Sequence, residues 1–426
     1  MKIEQLHKLF LESTGVSTDT RTLKTNQLYV ALSGENFNGN TFAHHAIKQG
    51  ALKAIIDDKE YVGPNTILVK DTLETLQQLA SYHRNYLNLP IIALTGSNGK
   101  TTTKELINAV LSEKFKTVAT VGNLNNHIGV PLTLLSMSKE AEIGIVEMGA
   151  NHQTEIEALC AIAQPNYGLI TNFGKAHLEG FGGIEGVIKG KSELYSYLQG
   201  NKGTAFVNDL DPIQMANSQK ISDRKTFGSA KSDYPITLED ASPTIQIKIE
   251  NTPIETQLIG TYNFTNVAIA AAIGSYFKLP IISIKKGLEN YLPENNRSQL
   301  INKGSHTIIL DAYNANPTSM EAALRNLQAQ KTKHTFAFIG DMFEVGETSL
   351  QEHQEILKLA HQLNITSVFA IGPSFGQSVT LDSTQSVYNS YDVFAQSSIP
   401  TIPANCTILI KGSRDMKMER VLDRLA

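Results

Sequence analysis

The chain has 426 residues, of which 41% are hydrophobic, and a formal net charge of −4 at pH 7. This length and apolar content predict a globular protein of several domains. The acidic balance argues against nucleic acid or an anionic membrane as partner. Cys160 and Cys406 are far apart and belong to no Cys-x-x-Cys pair, which argues against a disulfide framework or a thiolate metal site. Since no stretch approaches the ~20 apolar residues of a membrane span, we expect a cytoplasmic protein that acts on small molecules.

Short strands and helices alternate in the first part of the chain. Apolar runs predict strands at residues 27–32 and 54–56. The spacing of apolar residues predicts helices at residues 41–49 and 72–86. We therefore predict an N-terminal α/β domain over residues 1–88.

Strands of the buried type alternate with helical segments in the central region. This pattern predicts a doubly wound, mostly parallel sheet over residues 89–297, with a nucleotide at the carboxyl ends of its strands. Residues 232–257 show the alternation of antiparallel strands instead, which predicts a hairpin insertion. The predicted central strands are residues 91–94, 143–147, 167–170 and 204–207.

The same alternation returns after Pro293 and predicts a third α/β domain, Rossmann-like, over residues 298–426. Its predicted helices are residues 319–330 and 350–363. Its predicted strands are residues 307–310, 335–339, 367–371 and 407–410.

A glycine-broken turn with a lysine follows the first central strand and precedes a helical pattern. Glycines there let backbone N–H groups converge on phosphate oxygens, Lys100 neutralises charge, and Thr101 can ligate Mg²⁺. The match is to the short form Gly-x-x-Gly-Lys-Thr, because Leu94 stands where a full phosphate-binding loop has glycine. A structural turn is the alternative. The predicted phosphate-binding residues are Gly96, Ser97, Asn98, Gly99, Lys100, Thr101 and Thr102.

Two side chains near the ends of central strands are candidates for the same site. Glu147 ends an apolar strand, where phosphate-loop enzymes place an acid for Mg²⁺, and the alternative is a solvent-facing carboxylate. His177 lies in a polar, glycine-punctuated loop after the next strand, a position where functional residues concentrate. A surface histidine is the alternative there.

Two further segments are ambiguous from the residues alone. Lys191 lies in Lys189-Gly190-Lys191-Ser192-Glu193, which by itself resembles a solvated charge run at a helix start. Asn263 and Asn266 share one face of a small-residue helix. Their amides either cap that helix or meet the edge of a base.

Three polar clusters follow three predicted strands of the last domain, so we expect them to line one edge of its sheet. Facing a phosphate site, this edge could bind a second substrate, although each cluster alone is also explained by turn chemistry. The clusters lie at residues 311–317, 340–344 and 411–415. The candidate substrate-binding residues among them are Tyr313, Asn314, Asn316, Lys411, Ser413 and Arg414.

Taken together, these segments resemble the Mur ligase family from end to end. The resemblance also includes Asp19-Thr20-Arg21, the run Gly122-Asn123-Leu124-Asn125-Asn126-His127, and Glu147 to His152. It implies that the N-terminal domain holds a UDP-sugar through Ser17, Asp19, Arg21 and Ser33, and that Asn123 and Asn126 belong to an acceptor-binding loop. It further implies catalytic roles for Lys100, Lys191 and His177.

The resemblance implies two Mg²⁺ ions, one on Thr101 and Glu147 and a second on His177. Lys191 matches a lysine that family members carbamylate, and a carbamate offers oxygen ligands to Mg²⁺. Asn263 and Asn266 match residues beside the adenine of ATP. Arg297 and Asp311 match inter-domain contacts to the nucleotide.

The implied reaction is ATP-dependent ligation of D-alanyl-D-alanine to UDP-N-acetylmuramoyl-tripeptide through an acyl phosphate, carried out by a monomer. Addition of a single amino acid is a competing interpretation, but the Asp-Asn-Pro-Arg run typical of the diaminopimelate-adding relative is absent. Folate-modifying relatives lack the N-terminal domain. A non-catalytic sensor of cell-wall precursors would be expected to lose Lys100, Glu147 or His177, and all three are present.

Overall fold

Three predominantly parallel sheets, one after another along the chain, organise the fold. The computed structural model describes residues 1–294, 296–330, 332–398 and 402–425. Strands alternate with helices around each sheet, so the predicted α/β class with a doubly wound central sheet is confirmed. Within the described residues, no helix combines the length and apolar character that a membrane span requires.

The first sheet has four parallel strands in the order β1-β2-β5-β6. Asp71 caps its long helix by accepting a hydrogen bond from the amide of Glu74. The predicted helix at residues 41–49 begins as a 3₁₀ turn, Gly39–Phe42. The elements are α1 (Ile3–Glu12), β1 (Val16–Ser17), β2 (Leu28–Val30), β3 (Ser33–Gly34), β4 (Phe37–Asn38), α2 (Ala43–Lys48), β5 (Lys53–Ile56), β6 (Thr66–Leu68) and α3 (Thr72–Leu87).

The second sheet has six parallel strands in the order β12-β11-β10-β7-β9-β8. Its central strand, β7, is buried along its whole length, which explains its unbroken apolar sequence. The elements are β7 (Ile91–Thr95), α4 (Lys100–Leu111), β8 (Thr117–Ala119), α5 (Gly129–Leu135), β9 (Ile143–Glu147), α6 (Glu155–Ala163), β10 (Tyr167–Ile170), α7 (Leu178–Phe181), α8 (Ile184–Gly200), β11 (Thr204–Asn208), α9 (Pro212–Asn217) and β12 (Asp223–Phe227).

The predicted insertion is a three-stranded antiparallel sheet that packs against the central domain. Ile247 and Ile254 of this sheet share a core with Ile92 and Leu106. The helix that follows is buried on nearly every side, which its run of alanines permits. The elements are β13 (Thr237–Asp240), β14 (Gln246–Ile249), β15 (Thr252–Glu255), α10 (Phe264–Tyr276) and α11 (Ile281–Glu289).

The third sheet has six strands in the order β16-β17-β21-β18-β19-β20, with only β16 antiparallel to its neighbour. Asn316 and Ser319 form a capping box at the start of its first helix. The elements are β16 (Gln299–Lys303), β17 (His306–Asp311), α12 (Pro317–Ala329), β18 (Thr335–Gly340), α13 (Ser349–Gln362), β19 (Ser367–Ile371), α14 (Pro373–Gly376), β20 (Gln385–Tyr388), α15 (Tyr391–Gln396) and β21 (Thr407–Lys411).

Side chains of helix α3 connect the domain of the first sheet to the central domain through hydrogen bonds. The buried guanidinium of Arg84 donates hydrogen bonds to the carbonyls of Ala163 and Gln164 and to Oδ1 of Asn166. Nearby, His83 Nε2 lies 2.8 Å from the carbonyl of Met137, and His83 Nδ1 lies 3.0 Å from His7 Nε2. Because a carbonyl only accepts, His83 donates from Nε2. Burial lowers the pKa of His83 and so favours the neutral ring, which then accepts from His7 at Nδ1.

We expect the folded protein to lose stability when this histidine pair is protonated. Burial lowers the pKa of both His7 and His83 from the usual 6.5, so the unfolded chain binds protons that the folded chain does not. This contribution is complete above the unfolded pKa of 6.5 and is lost as the pH falls through the lower folded values. Thermal unfolding at about pH 7.5 and about pH 5.5 checks this.

The His83→Gln variant keeps a donor and an acceptor but cannot titrate, so its unfolding temperature should fall less on acidification than that of the wild type. His45→Gln, at an exposed position, is the matched control and should behave like the wild type. An equal fall for His83→Gln and the wild type would contradict the expectation.

Candidate active site

The glycine-broken loop after β7 has the backbone conformation that phosphate binding needs. Gly96 and Gly99 have φ angles of +144° and +79°. A Cβ on Gly96 would lie 2.0 Å from Oγ1 of Thr171, so a larger residue cannot be accommodated there without a shift. Thr171 Oγ1 also donates to the carbonyl of Asn98, and Asn172 Oδ1 accepts from the amide of Asn98. The end of β10 therefore holds the loop in shape.

Lys100 closes the loop at the start of α4. Its Nζ donates to the carbonyl of Gly96 at 2.7 Å and lies 3.3 Å from the carbonyl of Ser97. Burial lowers the pKa of Lys100, while the nearby carboxylate of Glu147 opposes that shift. An anion at the loop would stabilise the charged lysine.

Glu147 at the end of β9 has one oxygen free for a ligand. Its Oε1 accepts from Asn125 Nδ2 at 2.8 Å and from Thr101 Oγ1 at 3.3 Å. Its Oε2 is buried and has no hydrogen-bond partner in the described part of the chain. A buried carboxylate oxygen beside a threonine hydroxyl fits the hard-oxygen donor set of Mg²⁺. The alternative of a solvent-facing carboxylate is wrong, since Glu147 is buried.

His177 lies in the loop after β10, with a left-handed φ of +52°. Its Nδ1 lies 2.5 Å from Oε2 of Glu344, a residue of the third domain. Among the described residues, no three His, Cys, Asp or Glu side chains cluster in a metal-binding arrangement. A metal ion at this site would therefore depend on other ligands as well, such as the hydroxyl of Thr101.

Asn263 and Asn266 form a buried amide pair beside the loop. Asn266 Nδ2 donates to Asn263 Oδ1, and Asn263 Nδ2 donates to the carbonyl of Ile259, both at 2.8 Å. Thr103 Oγ1 donates to Asn266 Oδ1. Asn263 precedes α10 but makes no side-chain capping bond, so the capping alternative is wrong.

Lys191 is buried within α8, whereas Lys189 is exposed. Lys191 Nζ donates to the carbonyl of Ala150 at 3.0 Å and lies 4.9 Å from the ring centre of Phe181. The interpretation as a solvated charge run at a helix start is wrong for this residue, because Lys191 lies in the middle of α8 with its ammonium buried. Burial and, to a lesser extent, Lys100 lower the pKa of Lys191 well below its ordinary value.

The third sheet turns the carboxyl ends of β17, β18 and β21 toward the loop, as expected from the three polar clusters. Lys411 Nζ lies 2.6 Å from Oδ2 of Asp311. The guanidinium of Arg297 stacks 3.5 Å from the ring centre of Tyr313. Asn316 Nδ2 donates to Asn98 Oδ1 at 2.7 Å, so the phosphate loop and the third domain are in direct contact.

A cavity of about 860 Å³ lies between these domains. Most of the predicted site residues line it, which brings together groups that are up to 314 positions apart in numbering, Ser97 and Lys411. Gly96, Lys191, Ser413 and Arg414 do not line it. The lining residues among those predicted are Ser97, Asn98, Gly99, Lys100, Thr101, Thr102, Asn123, Asn126, Glu147, His177, Asn263, Asn266, Arg297, Asp311, Tyr313, Asn314, Asn316 and Lys411.

The predicted UDP-sugar residues lie elsewhere, at the carboxyl edge of the first sheet. Ser17 Oγ donates to the carbonyl of Asp19, and Asp19 pairs with Arg21 at 2.6 Å. Ser33 lines a second cavity of about 640 Å³ that also contains Asp57. Arg21 is free to turn toward a ligand because its side chain is 87% exposed.

Sequence reasoning did not select several residues that the structure places in the site. Asn125 contacts Glu147, and Asn172 holds the phosphate loop. Glu344 and Phe343 line the cavity from the third domain; they belong to the predicted polar cluster at residues 340–344 but were not among the candidate substrate-binding residues. In the sequence, these residues are marked only by their position in loops that follow strands. Short polar residues in such loops are also ordinary turn formers, so position alone does not distinguish a site residue from a turn residue.

The fold and site define a three-domain α/β protein with a phosphate-binding loop that faces a second domain across a cavity. Three family models match the chain: "Mur ligase family, catalytic domain" at residues 12–84, "Mur ligase middle domain" at residues 94–274, and "Mur ligase, glutamate ligase domain" at residues 296–414. Similar curated proteins extend over nearly the whole chain. The chain therefore belongs to the Mur ligase family.

Two of these relatives carry the name UDP-N-acetylmuramoyl-tripeptide–D-alanyl-D-alanine ligase. The Bacillus subtilis protein is 35% identical over 96% of this chain and 93% of its own length. The Escherichia coli protein is 34% identical, with the same coverage. The crystal structure of MurF from Acinetobacter baumannii has a TM-score of 0.87 at 30% identity and covers 100% of this chain and 98% of its own.

We expect Gly96→Ala to weaken ATP binding by about tenfold or more, equivalent to about 1.4 kcal/mol. The added Cβ would displace either the loop or Thr171, and so misalign the amides that converge on phosphate. Isothermal titration calorimetry with ATP and Mg²⁺ measures the effect.

Gly200→Ala is the matched control, since a Cβ there meets no atom within 4 Å. This variant should bind ATP like the wild type. If Gly96→Ala bound ATP as tightly as Gly200→Ala, the loop would not be the phosphate site.

Proposed function

We propose that this chain joins D-alanyl-D-alanine to UDP-N-acetylmuramoyl-tripeptide at the expense of ATP, giving the pentapeptide precursor of peptidoglycan. The observation that carries the proposal is the cavity in which a phosphate-binding loop with Lys100 and Glu147 faces the third domain's polar sheet edge. Relatives named for this activity match 96% of the chain at 34–35% identity.

The reaction needs ATP because a carboxylate is a poor electrophile at neutral pH. An oxygen of the tripeptide's terminal carboxylate attacks the γ-phosphorus of ATP, the bond to ADP breaks, and an acyl phosphate forms. The amine nitrogen of the dipeptide then attacks the acyl carbon, loses a proton, and expels inorganic phosphate. Each step exchanges one bond for another and needs no further reactant.

The chain's own residues would position and neutralise the reacting groups. The loop amides and Lys100 would hold the phosphates, and Asn263 and Asn266 would lie beside the adenine. Arg297, the last residue of the central domain, and Asp311, in the third domain, would contact the nucleotide from the opposite wall. Closure of that wall would exclude water, which would otherwise hydrolyse the acyl phosphate.

Mg²⁺ fits the donor set at Glu147, whose buried Oε2 has no hydrogen-bond partner in the described residues. We infer that Thr101 and Glu147 hold one ion and that His177 and Lys191 hold a second. When bound, these ions would spread the negative charge of the transferring phosphoryl group. The cation on Lys191 would have to become an anion to serve as a ligand.

Carbamylation would achieve that change at Lys191. A neutral amine nitrogen adds to CO₂, loses a proton and becomes a carbamate, whose oxygens can hold Mg²⁺. Burial favours the neutral amine, because it lowers the pKa of Lys191 well below the ordinary value. A carbamate is also longer than an ammonium, so it would extend from the position where Lys191 now contacts Ala150.

The domains would divide the substrates between them. Residues 1–88 would hold the UDP-sugar through Ser17, Asp19, Arg21 and Ser33, and residues 89–297 would bind ATP. The acceptor peptide would bind along the loop that contains Asn123 and Asn126. Residues 298–426 would bind the dipeptide through a sheet-edge set comprising Tyr313, Asn314, Asn316, Lys411, Ser413 and Arg414. We also propose that the chain works as a monomer in the cytoplasm.

The test is phosphate release from ATP with Mg²⁺, the UDP-linked tripeptide and D-alanyl-D-alanine. We expect release to require both substrates and to be lost when the dipeptide is replaced by single amino acids. Turnover with a single amino acid would instead indicate a different ligase of the family. Tight binding without turnover would indicate a sensor.

Lys191→Ala should lower kcat by about 100-fold or more, the usual cost of losing a charge-stabilising group. Lys189→Ala, two positions away and exposed, is the matched control and should retain activity. Added short carboxylic acids should partly restore Lys191→Ala, since they supply the missing oxygens. Full activity of Lys191→Ala without added carboxylate would refute the carbamate.

A further inference from the structure

The loop after β18 carries a carboxylate to the proposed metal site from the opposite domain. Glu344 lines the cavity, and its Oε2 lies 2.5 Å from Nδ1 of His177. The proposed function gives Glu344 no role. The Glu344 side chain is 50% exposed.

The backbone around Glu344 is firmly anchored to the third sheet. The fully buried carboxylate of Asp341 accepts hydrogen bonds from the amides of Ser374 and Phe375, at 2.7 Å and 2.9 Å. The amide of Met342 donates to Nε2 of His353 at 3.0 Å. These bonds anchor the backbone of the loop that presents Glu344, so its Cα moves with the third domain.

Both partners of the contact have uncommon backbone conformations. Glu344 has a φ of +60° and His177 a φ of +52°, the left-handed region that residues other than glycine rarely occupy. Such conformations persist where surrounding structure enforces them, and they cluster at functional sites. Here the two loops present their side chains to each other.

A carboxylate beside Nδ1 determines which nitrogen of the imidazole is free to bind a metal. Glu344 Oε2 lies 2.5 Å from Nδ1 of His177. A carboxylate at that position favours the tautomer with its proton on Nδ1, which leaves Nε2 of a neutral ring as the lone-pair donor. Metal-binding histidines commonly have their second nitrogen fixed in this way by a carboxylate, which here comes from another domain.

We propose that Glu344 is a positioning residue that orients His177 and couples closure of the third domain to completion of the metal site. The inference rests on the proposed function, in which His177 is a ligand of the second ion. Because coupling is reciprocal, the closed position of the third domain raises the affinity for that ion, and the ion favours the closed position.

The test measures Mn²⁺ binding by electron paramagnetic resonance, on the full chain with a non-hydrolysable ATP analogue. Glu344→Ala should weaken the second Mn²⁺ roughly 10- to 100-fold, as is typical when such a partner is lost. Glu344→Gln should recover part of the affinity, because its amide oxygen can still accept from Nδ1–H. Inter-domain closure, followed by a fluorescent label in each domain, should need correspondingly more Mn²⁺ in Glu344→Ala.

Glu352→Ala is the control for general damage to the interface. Glu352 lies 2.5 Å from Lys175 Nζ, so its loss breaks another cross-domain ion pair without touching His177. Its Mn²⁺ affinity should match the wild type. Equal weakening by Glu352→Ala and Glu344→Ala, or none by Glu344→Ala, would overturn the inference.

His177→Ala separates this inference from the proposed function. If His177→Ala loses the second Mn²⁺ while Glu344→Ala keeps it, only the positioning role fails. If His177→Ala keeps the second Mn²⁺, the proposed metal ligand fails and the positioning role fails with it. Phosphate release by the wild type tests the ligase activity independently of both variants.

Discussion

The hydrogen bonds between the phosphate loop and the end of β10 are the constraint on which the site depends. Asn98 is held through its amide by Asn172 and through its carbonyl by Thr171. These bonds are possible because β7 and β10 are parallel neighbours whose carboxyl ends coincide. The same adjacency brings the loop that carries His177 beside the phosphate site, while β9 on the other side of β7 supplies Glu147.

The two domain interfaces differ in kind. The interface between the first and central domains is made by buried groups, among them Arg84 and His83, that bond to backbone carbonyls. Leaving such groups unpaired would be costly, so this interface resists opening. The third domain meets the central one partly through ion pairs with a half-exposed partner, such as Lys175 with Glu352. Those contacts are individually weak and suit an interface that opens and closes.

Positional reasoning from the sequence selected residues that line the cavity where these residues end parallel strands. Glu147, Asp311 and Lys411 all end parallel strands, and parallel strands bring their carboxyl ends to one edge. The same reasoning did not predict features that depend on tertiary packing. The sequence around Lys191 resembles a surface charge run, and burial inside α8 depends on helices and loops distant in sequence. The pairing of Glu344 with His177 depends on how two domains are oriented, which local patterns do not encode.

The fixed contact of α3 with the central domain has a consequence for which substrates are accepted. The hydrogen bonds of Arg84 and His83 hold the first domain against the central one and so set the separation between the cavity at Ser33 and the loop at Lys100. If the UDP-sugar is held near Ser33 as proposed, this separation sets the distance that the attached peptide must span. On that proposal, only a peptide of the right number of residues would deliver its terminal carboxylate to the reacting phosphate, and selection for length would require no contact with the peptide's side chains.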